Sequence, residues 1–139
     1  MSGAVAGRGF AVRALGEVAI RCRDLDAMAR FYGETLGLER LAARPGGIVF
    51  FRLGDGWRGH TAVLALFADD QTPASPSSLH HIALSVDWDA QEAAQAWLRA
   101  QGLPVRVEHF DWIGWRGVFT ADPEGNTVEL VAARPAEAP

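Results

Sequence analysis

Disulfide bonds are excluded at the outset, because the 139-residue chain carries one cysteine, Cys22, and a lone thiol cannot build a disulfide framework. Its apolar neighbours mark it as a buried, inert thiol rather than a nucleophile. No stretch approaches the roughly 18 consecutive apolar residues of a membrane-spanning helix, and the opening MSGAVAGRGF lacks the apolar core of a secretory signal. Basic charge is not in excess. With 13 Lys and Arg against 17 Asp and Glu, the net charge is −4, and the cations are scattered, so nothing attracts nucleic acid or an anionic membrane surface. The expectation these absences leave is a soluble, cytoplasmic protein.

What is present is a core and a repeat. At 49% apolar residues the chain can bury one sizeable core, whereas either half alone, at about 60 residues, would be marginal. Glu17-Val18-Ala19-Ile20 returns 64 positions later as His81-Ile82-Ala83-Leu84, and Val63-Leu64-Ala65-Leu66 returns as Thr127-Val128-Glu129-Leu130. A period this long, present twice, means two copies of one supersecondary unit packed as a single domain. The domain is expected over 13–133, with a first module at about 15–68, a Pro- and Ser-containing linker at 69–78 and a second module at about 79–132. Residues 1–12 and 134–139, rich in Gly, Ala and Pro, are expected to be disordered tails.

Alternation in 16–22 predicts a strand that buries Val18, Ile20 and Cys22 and leaves Glu17, Ala19 and Arg21 on the other face. Asp24 can cap a helix whose apolar stripe is Leu25, Met28, Ala29, Tyr32 and Leu36, ended by Gly37. Strands follow near 38–44, 47–53 and 61–67. In the second half a strand at 81–86 precedes a helix at 90–100, packed through Ala94, Trp97 and Leu98 and ended by Gly102. Strands near 105–109, 114–121 and 126–132 close it, with Asp122-Pro123-Glu124-Gly125-Asn126 as a reverse turn. Each half is thus strand, helix and three strands, an α+β pattern. One helix covers one face of each sheet, so the other face, bearing 17, 65, 81 and 129, must line a cavity or be covered by something else. Glu129, between Val128 and Leu130, is the sharpest oddity: an ionised carboxylate in an apolar strand costs several kcal/mol unless it is paired or metal-bound.

At these residues the chain resembles the vicinal oxygen chelate superfamily, the group of glyoxalase I, extradiol dioxygenases and bleomycin resistance proteins. The matching pieces are Asp24-Leu25, Phe31-Tyr32 and Leu36-Gly37-Leu38 in the first half, then His80-His81-Ile82-Ala83-Leu84, Asp122-Pro123-Glu124-Gly125-Asn126 and Val128-Glu129-Leu130. The resemblance implies two pseudo-symmetric βαβββ modules with curved mixed sheets around a cleft, and a divalent metal held from positions 17, 65, 81 and 129. Ala65 cannot ligate. The implied ligands are therefore Glu17, His81 and Glu129, with Fe, Mn, Ni, Co or Zn as the metal and Glu129 and Glu17 also as the catalytic carboxylates. The three are expected to converge, with Ala65 facing the same spot. Small members of the superfamily generally pair, so a homodimer is expected.

Each of these residues also has a plainer reading. His81 can be a half-buried strand histidine bonded to a neighbour, Glu17 a solvated strand end, and Glu129 the ion-pair partner of Arg52 or Arg116, which lie 64 apart on the third strands. His80, one residue out of phase with His81, is expected to point outward or toward the turn. Candidate substrate contacts are Trp57, Trp112 and Trp115 as aromatic lining, and Arg52, Arg116 and His109 as polar groups, Arg116 through its fork of donors. Glu108 and Asp111 read as a polar strand end. Two functions are compatible with this set: a metal-dependent enzyme of lyase, isomerase, epimerase or dioxygenase type, or a metal-free protein that sequesters a drug between tryptophans and carboxylates.

Overall fold

The computed structural model of the chain describes residues 13–44, 47–68 and 79–136, apart from the side chains of 42–44 and 57. The alternation in the first strand is realised: β1 (Glu17–Cys22) buries Ile20 and Cys22 and exposes Glu17, Ala19 and Arg21. Asp24 caps α1 (Leu25–Arg30), its Oδ1 accepting from the Ala27 amide at 3.0 Å. The helix widens into a π turn over Phe31–Thr35 and stops at Gly37, whose φ of +79° suits glycine. Then come β2 (Arg40–Arg44), β3 (Ile48–Trp57) and β4 (His60–Ala68). The second module repeats the order with β5 (Ile82–Ser85), a 3₁₀ turn at Trp88–Ala90, α2 (Gln91–Ala100), β6 (Arg106–Phe110), β7 (Trp115–Ala121) and β8 (Thr127–Ala133).

The two sheets have equivalent orders, β1-β4-β3-β2 and β5-β8-β7-β6. In each, the first strand runs parallel to the last, and Ala19 lies opposite Ala65 as Ala83 lies opposite Glu129. Positions 65 and 129 are therefore equivalent in space. The repeat slips at the third strand. Phe50 faces Ala65 in the first sheet and Phe119 faces Glu129 in the second, so β3 and β7 correspond at a separation of 69 rather than 64. The first module spends the extra length on a long β3–β4 hairpin, the second on the β6–β7 hairpin. Arg52 and Arg116 are consequently not counterparts, which corrects the symmetry read from their spacing.

One buried cluster joins the modules: Ile20, Met28, Tyr32, Phe51 and Leu64 of the first pack with Ile82 and Val128 of the second. A smaller cluster holds Leu98 of α2 against Val118 and Leu130. Trp97, expected in that stripe, is instead 51% exposed, and its indole Nε1 donates to the Thr35 carbonyl at 2.9 Å, bridging to the first module. The reverse turn at 122–126 is a second bridge. Asp122 is buried and accepts from the Asn126 amide at 2.9 Å and from the Tyr32 hydroxyl at 2.8 Å. Glu124 accepts from the Arg23 and Asp24 amides at 2.9 and 2.7 Å, meeting the start of α1. The expected linker at 69–78 and the tail at 1–12 lie outside the described residues, while Arg134, placed in the expected C-terminal tail, donates its amide to the Gly114 carbonyl at 2.7 Å.

Candidate functional site

Glu129 sits in the middle of β8, only 5% exposed, on the sheet face turned away from α2. Its partner is neither Arg52 nor Arg116: His81, just ahead of β5, places Nε2 3.1 Å from Glu129 Oε1. The parallel β5–β8 pairing brings these two ends together, as it sets Ala83 beside Glu129. His81 is partly exposed and stands edge-on to Phe119 with centroids 6.1 Å apart, Phe119 being the residue opposite Glu129 in the ladder. Gly117 completes the cradle. A Cβ at this position would collide with Glu129 Oε2 and lie 2.8 Å from Phe119 Cε1, so the carboxylate occupies the space where a side chain would be.

The same face continues over β6, where Arg106 is opposite Phe119 and Glu108 opposite Gly117. The Arg106 guanidinium lies 4.4 Å over the Phe119 ring and pairs with Glu108, while Phe110 packs edge-on to Phe119 at 6.5 Å. Arg106, Phe110, Gly117 and Phe119 were not singled out from sequence. Their signal was the alternation within 106–110 and 115–121, legible only once the strand register is known.

The remaining candidates separate. Arg116 and His109 are paired across β6 and β7 on the opposite, helix-covered face. There Arg116 bonds Gln91, donates to the Trp88 carbonyl at 3.0 Å and stacks 3.7 Å over the Trp88 ring; it braces the start of α2 and does not reach the His81–Glu129 pair. Arg52 lies on the helix-free face of the first sheet but is paired with Asp55. Trp115 shares the face of Glu129 and is 45% exposed, whereas Trp112 is 82% exposed at the hairpin tip. Asp111 lies 3.7 Å from Arg134. The side chain of Trp57 is outside the described residues.

His80 is not merely outward. Its Nδ1 is 2.8 Å from Nδ1 of His81, so both ring nitrogens of His81 have partners. Glu17 is exposed, and among the described residues no three His, Cys, Asp or Glu side chains form a group able to hold a metal. The expected convergence of Glu17 with the other two is therefore not present within this one chain. The 3.1 Å separation is that of a direct hydrogen bond between ring and carboxylate, and one imidazole with one carboxylate is a donor pair of the kind divalent transition metals accept.

Away from this face, burial pushes the Cys22 thiol up to about 12, helped by the charges of Glu124 and Asp122. Burial, then the charge and hydrogen bond of Asp122, likewise raise the Tyr32 phenol. Both groups are structural acids that stay protonated.

Residues 14–130 match the family model described as the Glyoxalase/Bleomycin resistance protein/Dioxygenase superfamily. Among solved structures, the chain is similar to a glyoxalase/dioxygenase from Nostoc punctiforme at 22% identity and a TM-score of 0.74, covering 97% of this chain and 100% of that one. A lactoylglutathione lyase from Agrobacterium tumefaciens matches at 27% identity and 0.67, over 86% and 92% of the two chains. A glyoxalase family protein from Enterococcus faecalis matches at 31% and 0.61, over 84% and 95%. No curated protein sequence matches the chain.

Proposed function

From a chain that belongs to the glyoxalase/bleomycin resistance protein/dioxygenase superfamily, we propose a divalent-metal-dependent enzyme acting on a small molecule with neighbouring oxygens. The observation that carries the proposal is the buried Glu129 held 3.1 Å from His81 Nε2 on the helix-free face. These two residues would hold the ion, and Glu17 of a second copy, the equivalent of His81 in the first module, would be the third donor. When bound, Fe, Mn, Ni, Co or Zn would chelate the substrate oxygens and stabilise developing negative charge, which suits lyase, isomerase, epimerase or dioxygenase chemistry.

The protein's own residues have separate tasks. Phe119 and Phe110 offer an apolar floor that excludes water beside the carboxylate, and Trp115 extends it toward the hairpin tip. Glu129 and Glu17 are the groups able to take a proton from the substrate. A homodimer belongs to the same proposal, since pairing would cover the exposed Trp112, Ile113 and Trp115.

Metal content tests the reading. Protein purified without chelators should carry about one ion per site, the His81→Ala and Glu129→Gln variants should fall to background, and Glu17→Gln should bind more weakly. Equal metal in the wild type and the His81→Ala variant would count against it. A metal-free sequestering protein is the second reading, favoured by the exposed aromatic tip around Trp112 and Trp115 on the sheet that carries Glu129. Tight binding of a cationic aromatic drug by protein that takes up no metal would select it.

A further inference from the structure

Arg116 and His109 lie off the helix-free face, and we infer that they belong to a second ligand site, a groove on the helix-covered side of the second sheet that binds a small zwitterion through its carboxylate and its ammonium group. The groove, of about 580 Å³, is walled by β6, by the flank of α2 and by the 3₁₀ turn before it. Its place on the opposite face makes it independent of any ion at His81. What points to a ligand is the state of Arg116. It is half-buried, yet each of its bonds goes to a neutral group, from Nε to the Gln91 side chain and from Nη2 to the Trp88 carbonyl, with Cζ 3.7 Å over the Trp88 ring. Arg52, also half-buried, is paired with Asp55; no carboxylate pairs with Arg116 among the described residues. A charge withdrawn from water without a counter-charge is costly, and an anionic ligand would remove that cost.

The three contacts also lock the guanidinium, since Gln91 is itself fully buried, and they leave Nη1 with its two hydrogens. A fork fixed in advance gives a carboxylate charge-assisted bonds at little ordering cost. His109, opposite Arg116 in the ladder, lines the same groove and adds a ring donor. The rest of the lining narrows the ligand. Asp89 and Glu92 border the groove from the turn and the helix, so they oppose a bare anion brought to Arg116, and a dianion such as phosphate more strongly. A ligand that carries an ammonium group beyond its carboxylate meets them with the opposite sign. Val107 supplies an apolar patch against which the methylene groups joining the two charges can lie. Carboxylate, short apolar chain and ammonium together describe an amino acid.

The five tryptophans give few enough indole N–H signals in NMR to assign by substitution, and Trp88→Phe identifies the one that reports on this groove. Titrating metal-free protein with ω-amino acids from glycine to 5-aminopentanoate should shift the Trp88 signal saturably, and at least one of them should bind more tightly than acetate, n-butylamine or inorganic phosphate. Arg116→Lys, which keeps the charge and loses the fork, should weaken that binding about tenfold or more. Because Arg116 also braces α2, a second variant is needed that leaves the brace alone. Asp89→Asn with Glu92→Gln changes two exposed side chains; it should weaken the amino acid roughly three- to tenfold while acetate binds as before or more tightly. A Trp88 signal that no probe moves, acetate binding as tightly as every amino acid, or equal amino-acid affinity in the wild type and the double variant would each overturn the inference.

Discussion

Gly117 shows how much of the site depends on an atom that is missing. Replacing it with alanine puts a methyl group into Glu129 Oε2 and against Phe119, and a β-strand tolerates alanine at little backbone cost. We expect Gly117→Ala to fold with nearly native circular dichroism while losing metal uptake to the same degree as Glu129→Gln; retained uptake would show that the carboxylate can move aside. Cys22 is the opposite case, a reactive group kept silent. Fully buried and with its thiol raised to about 12, it should resist alkylation by iodoacetamide in native protein at about pH 8 and react once the chain is unfolded in urea. His81 and Glu129 were legible in the sequence because the repeat and the buried charge coincide there. Gly117 was not, since glycine in a strand has no signature of what fills its vacancy, and His80 is exposed as its phase predicts while its contact with the neighbouring His81 ring has no sequence signal.

Among the elements, the succession of strands and helices along the chain followed from alternation and caps, and the boundaries of seven strands lie within two residues of those expected, while β3 runs on to Trp57, four residues past its expected end. The misreading of Arg116 has a definite physical origin. A period of 64 holds for β1 with β5 and for β4 with β8, where parallel pairing locks the register, but β3 and β7 are antiparallel neighbours whose hairpin ends can slide. An odd displacement of five residues turns a strand over, sending Arg116 to the helix side while Arg52 stays on the other. The turn at 122–126 was legible as a turn but not as a clamp, because its Glu124 acts on amides a hundred residues earlier. Glu124→Ala should remove both bonds to the start of α1 and cost about 1–2 kcal/mol, read as a lower urea midpoint with an unchanged slope. Glu124→Gln should restore part of it.

At the scale of the molecule, the junction between modules sets the alkaline limit. Cys22 and Tyr32 give up their protons more reluctantly in the folded chain than in the unfolded one. The folded state therefore holds protons that the unfolded state has released, and the stability they contribute is complete below about pH 9 and drains away as the pH rises toward 12. Urea midpoints should fall between about pH 9 and 11, and less so in Cys22→Ala. Light scattering at micromolar concentration should give twice the mass of one chain, as the proposed pairing requires; a single-chain mass would remove it. The junction also has a use that needs no chemistry at its centre. Tyr32 with Asp122, Glu124 with the start of α1, Trp97 with Thr35 and the apolar cluster shared by both halves are all non-covalent. Two separately expressed pieces, ending and beginning within residues 69–78, hold complementary halves of every one of these contacts. Neither piece is large enough to bury a stable core alone, so each should be unstructured until mixed and the native circular dichroism should return only in their complex, which makes the chain a natural split reporter for bringing two fused proteins together.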